Sequence, residues 1–259
     1  MIAKKASRFL IAALTIEWAL AGGSSRAQEK LPAAETVLDQ YVEVTGGREA
    51  YKKIHTQITI ATMEFVGKGI KATLTSYKAI PHNSYNVAEM QGIGKIEQGT
   101  SGDIAWERSP LQGPRVKSGE ERASALRDAA LNAEWRELFK KAEMEGVENV
   151  GSRPCYKILL TPAEGSPETR YYDTKTHLLV KVNKVVKSQM GEIPAEVTLS
   201  DYRDAGGILV PHRVLQKGLG QEFLITIEKI EQNPEIPASR FDLPADVKAL
   251  LEKSGAGGN

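Results

Sequence analysis

Four histidines and a single cysteine have the widest chemical range in this chain, and their spacing does not make a ready-built reactive centre. His55, His82, His177 and His212 lie far apart, and no two share the close spacing by which one helix or turn presents paired ligands to a metal. A metal site would have to assemble across separate strands. Cys155, the only cysteine, sits in the strand-like run Pro154-Cys155-Tyr156-Lys157-Ile158-Leu159, where a thiol serves as a small apolar side chain. A lone cysteine also allows no internal disulfide. Asp201, Asp204 and His212 flank one hairpin and could pair as acid and base, with a nearby hydroxyl completing a hydrolase. Asp204, beside Ala205-Gly206-Gly207, more simply shapes a turn, as Asp103 and Asp173 do. There is no Gly-x-Ser-x-Gly elbow, and the glycines at 92, 94 and 99 lack the strand-to-helix setting of a phosphate loop. The expectation is therefore no catalytic residue, no metal and no cofactor.

The elements that would position any site are mostly strands. A first helix opens at Pro32, where the missing amide costs nothing, and Ala34, Val37, Leu38, Tyr41 and Val42 recur at helical spacing until Gly46-Gly47 stops it. A short helical turn from Glu49 to Lys53 follows. From Thr56 to Ile230 strand-like runs alternate with turns such as Gly67-Lys68-Gly69, Ser101-Gly102-Asp103, Asp173-Thr174-Lys175-Thr176 and Gly218-Leu219-Gly220. These connections are too short for parallel crossovers, which need about a dozen residues, so the strands form an antiparallel meander. One helical stretch, Glu120 to Ala142, interrupts them, with Leu131, Trp135, Leu138 and Phe139 as its apolar stripe. The fold class expected is α+β: a large curved antiparallel sheet of about eleven or twelve strands, an incomplete β-barrel covered by helices.

The N-terminus carries the marks of an export leader. Lys4, Lys5 and Arg8 precede an apolar stretch from Phe9 to Leu20, followed by small-residue cleavage candidates near residue 21 or 27. That stretch falls short of the roughly 20 residues needed to span a bilayer. The expected organisation is a signal peptide over residues 1–27, one domain over 28–253 and a flexible tail over 254–259, with the protein released into the periplasm. The whole chain has a formal net charge of +1; the leader holds four basic residues and Glu17, which leaves −2 for the rest. A nearly neutral chain without basic clusters does not suit nucleic acid, whose binding depends on neutralising phosphates.

Several stretches together resemble the LolA/LolB-like superfamily of outer-membrane lipoprotein-sorting carriers, in particular its broad branch of uncharacterised exported proteins. They are Tyr41 to Gly47 ahead of the first strand, Gly102-Asp103-Ile104-Ala105-Trp106-Glu107, Tyr171 to Lys181, Asp201 to Pro211, and the closing Phe241-Asp242-Leu243-Pro244. Each is only a turn with its flanking strand residues; their order and spacing carry the likeness, which spans nearly all of the chain after the leader. The resemblance implies an incomplete antiparallel barrel wrapped around helices, with an apolar cavity that in the well-understood carriers shelters acyl chains. No ligand-handling residue of those carriers matches a position here.

An open curved sheet needs a cover, and the Leu126 to Phe139 segment is the one on offer. Partial cover would leave a groove for an acyl chain, lined by Met63, Phe65, Trp106, Leu131, Trp135 and Phe139, where each buried methylene contributes about 0.8 kcal/mol. Those same residues could instead pack together as core. The leading expectation is a non-enzymatic periplasmic binding protein for a lipid or an acylated protein, with an envelope membrane or lipoprotein as partner. Two alternatives stay open: a periplasmic hydrolase assembled at strand ends, and an envelope scaffold that pairs through a sheet edge without lipid.

Overall fold

Two short helices lead into the sheet. Helix α1 spans Ala34–Val44 and α2 spans Arg48–Lys52. Period-two alternation and short turns then produce β1 (Thr56–Phe65), β2 (Ile70–Ala79), β3 (Asn83–Met90), β4 (Gly94–Ser101), β5 (Ile104–Ser109) and β6 (Gly113–Val116). Helices α3 (Gly119–Ala129) and α4 (Trp135–Leu138) interrupt the meander. It resumes with β7 (Phe139–Val150), β8 (Arg153–Pro162), β9 (Glu168–Asp173), β10 (Leu179–Ser188), β11 (Gly191–Asp204), β12 (Leu209–Gly218) and β13 (Gln221–Gln232). A 3-10 turn at Ala238–Phe241 and helix α5 (Ala245–Ala256) close the chain. This is a computed structural model, and it describes residues 30–131, 134–188 and 191–256. The expected leader, residues 1–27, lies outside the described residues.

All thirteen strands join one antiparallel sheet in the order β6-β5-β4-β3-β2-β1-β13-β12-β11-β10-β9-β8-β7, so the last strand returns to pair with the first. The sheet is open, because β6 and β7 are its two edges. It is also strongly curved. β3 and β10 stand six places apart in that order, which would separate them by about 29 Å in a flat sheet. Both nevertheless touch α3, and a helix with its side chains is only about 10–12 Å across. The half-barrel implied by the resemblance is thus the fold observed.

Three details differ from the sequence reading. The thirteenth strand is β6, inside the stretch from Pro110 to Gly119 that reads as loop; its Pro114 is tolerated because the strand is an edge, where a missing amide breaks no ladder. The helical stretch expected to reach Ala142 ends earlier. α3 stops at Ala129, α4 is a single turn, and Phe139 already begins β7 opposite Pro162 of β8. Pairing with a neighbouring strand overrides local helix preference there. Helix α5 runs through Ala256, into the stretch from residue 254 that reads as tail, and residues 257–259 lie outside the described residues.

The main core lies where α1 meets the β7–β10 end of the sheet. Ala34, Val37 and Leu38 lie buried against Phe139, Ile158, Leu160, Tyr172 and Leu179. Burying each large side chain contributes about 1.5–3 kcal/mol, and truncating Leu38 to alanine would weaken the attachment of α1 by about 2–5 kcal/mol. Asp39 fixes the next turn. Its carboxylate accepts hydrogen bonds from Arg136 Nη1 and Nη2, both at 2.8 Å, from Trp135 Nε1 at 3.0 Å and from Arg48 Nη2 at 2.8 Å. One side chain thereby ties α1 to α2 and α4. Cys155 is fully buried and free, and burial pushes its thiol pKa up, which suits the packing role expected of it.

Candidate functional site

Strand register sorts the side chains onto two faces. On the face that curls around α3, Met63 lies opposite Ile225, Phe65 opposite Phe223, and Ala61 opposite Leu74. Val214 lies opposite Ile225, and Leu199 opposite Val214. Successive residues on a strand point to opposite sides, so this set forms one apolar strip across the centre of the concave face. Met63, Phe65, Leu74, Val214, Phe223 and Ile225 are each only half-buried. The helices pack elsewhere: α1 and α4 on β7, α3 on β3, β4, β5 and β10, and α5 on β6. Among the described residues no helix makes extensive contact with β1, β2, β12 or β13, so none of the described helices is seated on the strip at the middle of the sheet.

Beside the strip, α3 roofs a cavity of about 540 Å³ between the two walls of the curled sheet. Ser76, Lys78 and Asn86 come from one wall, Glu168, Lys184 and Val186 from the other, and α3 contributes one face that includes Glu121, Ser124, Arg127 and Asp128. Most of this lining is polar. Gln216 also borders the cavity and stands directly opposite Phe223, so the polar chamber opens onto the apolar strip at that rung of the ladder.

Polar contacts hold α3 in place, and of its side chains only Ala129 is fully buried. Arg115 on β6 grips Glu121 through both guanidinium ends at 2.6 and 2.8 Å, and its Nε donates to Glu107 at 2.6 Å. Lys78 Nζ donates to the Asp128 carbonyl at 2.6 Å, Arg127 Nη1 to the Glu164 carbonyl at 2.6 Å, and Arg122 Nε to the Asp103 carbonyl at 2.7 Å. Lys184 Nζ lies 3.9 Å from the Asp128 carboxylate and Lys187 Nζ 3.6 Å from that of Glu120. Burial pulls the Lys78 ammonium pKa below its ordinary value, with Asp128 opposing the shift.

The six residues expected to line a groove separate into three places. Met63 and Phe65 stand on the central strip. Trp106 borders the cavity, but its ring belongs to the reverse face: it lies opposite Gly99, stacks near Tyr85 with centroids 6.2 Å apart, and is 1 % exposed. Phe139 is core and Trp135 packs against that core beside α1, while Leu131 is half-buried in the connection after α3. The cavity's polar lining was not visible in sequence, because Lys78 and Lys184 come from strands a hundred residues apart that only the curl brings together.

Asp201 and His212 fall at one rung of β11 and β12, between the Ser200–Arg213 and Tyr202–Pro211 pairs, but each bonds a different partner. Asp201 binds its neighbour Arg203 at 2.7 and 2.9 Å, and His212 Nδ1 lies 2.9 Å from the Val210 carbonyl. Asp201 adopts a left-handed φ of 56°, which interrupts the alternation of β11. Tyr202 then donates its hydroxyl to the Leu179 carbonyl at 2.8 Å, beside the main core. Among the described residues no three His, Cys, Asp or Glu side chains gather as a metal site would require.

The sequence matches no protein-family model and no curated protein. Solved structures match the fold. A DUF1329 family protein from Desulfovibrio piger superimposes with a TM-score of 0.57 at 15% identity, covering 83% of this chain and 100% of that one. A LolA superfamily protein from Nitrosomonas europaea gives 0.56 at 14% identity over 82% and 99% of the two chains. A domain described as outer membrane lipoprotein-sorting, from Vibrio parahaemolyticus, gives 0.55 at 12% identity over 85% and 99%. The architecture of this chain is therefore the LolA-like open antiparallel barrel.

Proposed function

We propose that this protein is a non-enzymatic carrier that shelters the acyl part of a lipid or of a lipidated protein. The observation that carries the reading is the half-exposed strip of Met63, Phe65, Leu74, Val214, Phe223 and Ile225, on which none of the described helices is seated. An apolar surface on the inside of a curved sheet gains by meeting a hydrocarbon chain, at about 0.8 kcal/mol per methylene removed from water. The lipoprotein-sorting description of the Vibrio domain supports an acylated cargo by analogy of fold alone. The leader over residues 1–27 would export the chain, so the carrier works in the periplasm between envelope membranes.

Native mass spectrometry of the full-length secreted protein, followed by solvent extraction, tests this. A bound species of lipid or acyl-peptide mass supports the carrier. A protein that emerges empty and takes up no 16-carbon chain when offered one contradicts it.

A further inference from the structure

The chamber beside the strip holds more cations than its carboxylates can pair. Four acidic side chains line it, and each is engaged: Glu121 with Arg115, Glu168 with Arg170 at 2.6 Å, Glu120 with Lys187, and Asp128 with Lys184. Two lining cations are left over. Lys78 donates only to the Asp128 main-chain carbonyl and Arg127 only to that of Glu164, and among the described residues neither has a carboxylate in ion-pair range. The Asp128 carboxylate, itself beside Lys184, acts on Lys78 only from beyond ion-pair distance, and neutral carbonyl oxygens satisfy some N–H groups without offsetting the remaining charge. Both side chains are half-buried and keep part of their hydration, and an arriving anion would add charge-assisted hydrogen bonds stronger than those to neutral carbonyls. Hydroxyl and amide groups from Ser76, Asn86 and Gln98 stand nearby to share in it.

We infer that the chamber under α3 binds the anionic head group of the guest, a carboxylate or phosphate held between Lys78 and Arg127, while the tail lies on the Phe65–Phe223 strip. This rests on the carrier reading and narrows its cargo to acidic amphiphiles. The layout supports the division, because the polar lining borders the apolar strip where Gln216 faces Phe223 and where Ser76 follows Leu74 on the same face of β2. A neutral lipid of equal chain length would fill the strip but leave both cations unpaired.

Two ligands with the same tail separate the head from the chain. Binding of hexadecanoic acid and of hexadecan-1-ol to the full-length secreted protein is measured at pH 8 and low salt, with inorganic phosphate as a tail-less anion. The expected result is an acid bound at least about tenfold more tightly than the alcohol, with phosphate alone bound far more weakly than either. The preference should collapse in Lys78→Met and shrink in Arg127→Gln, with circular dichroism melting of both variants confirming that α3, which keeps its Arg115 and Arg122 contacts, stays folded. Equal affinity for acid and alcohol, or a preference unchanged in both variants, overturns the head-group site while leaving the carrier intact. Phosphate binding as tight as the acid overturns the amphiphile assignment in favour of a free-anion site. If neither long-chain ligand binds, the carrier reading falls and this inference with it.

Discussion

Phe65 on β1 and Phe223 on β13 stand directly opposite each other and meet edge to face, with ring centroids 4.7 Å apart and planes inclined at 73°. The pair sits where the first and last strands of the sheet join, next to Gln216 on β12. Both rings are half-buried, so they stabilise the sheet partly and remain available to a guest.

Replacing Phe223 with alanine should therefore affect binding as well as folding. The edge-to-face pair adds about 0.5–1.5 kcal/mol beyond the area it buries, and with the ring only half-buried the total loss is about 2 kcal/mol, a fall in Tm of about 4–8 °C. Binding of hexadecan-1-ol should weaken about tenfold, as apolar contact area is lost. Calorimetric melting alongside a hexadecan-1-ol titration separates the two effects. A large fall in Tm with unchanged binding would mean that the strip is merely core.

Helix α3 should open before the rest of the fold. Its attachment is mainly hydrogen bonds and ion pairs, whereas α1 is anchored by buried Val37 and Leu38. Hydrogen exchange of α3 amides is expected to be faster than that of α1. It should accelerate further in Arg115→Met, which releases Glu121, and in high salt, which screens the exposed pairs. Equal protection of the two helices would show that α3 is held by something other than these contacts.

Asp39 gives a pH dependence with a definite sign. Hydrogen bonds from Arg136, with help from Trp135, lower its pKa from 3.8 to about 2, against the opposing effect of burial. A carboxyl whose folded pKa lies below its unfolded value contributes stability above the unfolded value and loses it as pH falls through the folded one. The contribution is thus present above about pH 4 and disappears towards pH 2. Because the side chain is 36% exposed, water screens it and its worth is about 1 kcal/mol or less. Asp39→Asn should be less stable than the parent at pH 6, and the gap should close near pH 2, as read by urea unfolding.

Gly99 is fixed by its surroundings. A Cβ there would sit 2.4 Å from the Ser84 carbonyl oxygen and 3.1 Å from Trp106 Cζ2. Neither the main chain nor a fully buried indole can yield cheaply. Gly99→Ala should cost about 2 kcal/mol or more and lower Tm by about 4–8 °C. A variant that melts with the parent would mean that β3 and β4 are less tightly joined than their register shows.

Much of the sheet was legible because turn residues and short connections leave an antiparallel meander few alternatives. β6 escaped notice because Gly113-Pro114-Arg115-Val116 has the composition of a loop and becomes a strand only by pairing with β5. The stripe of Trp135, Leu138 and Phe139 is apolar at helical spacing, yet it folds as one helical turn running into an edge strand. Periodicity over so few residues cannot choose between those outcomes. The site was legible only in its apolar half. Met63 and Phe65 announce themselves by type and alternation, whereas Lys78, Arg127 and Lys184 meet only because the sheet curls, and curvature leaves no mark at single positions.

The decisive measurement is photocrosslinking of the full-length secreted protein with a 16-carbon fatty acid bearing a diazirine on its chain, followed by mapping of the labelled residues. Labels concentrated on Met63, Phe65, Phe223 and Ile225 are the expected result. Labels confined to exposed hairpin tips such as Leu111 and Leu219, or no label above background, would contradict the proposal that the inner face of the sheet carries a lipid chain.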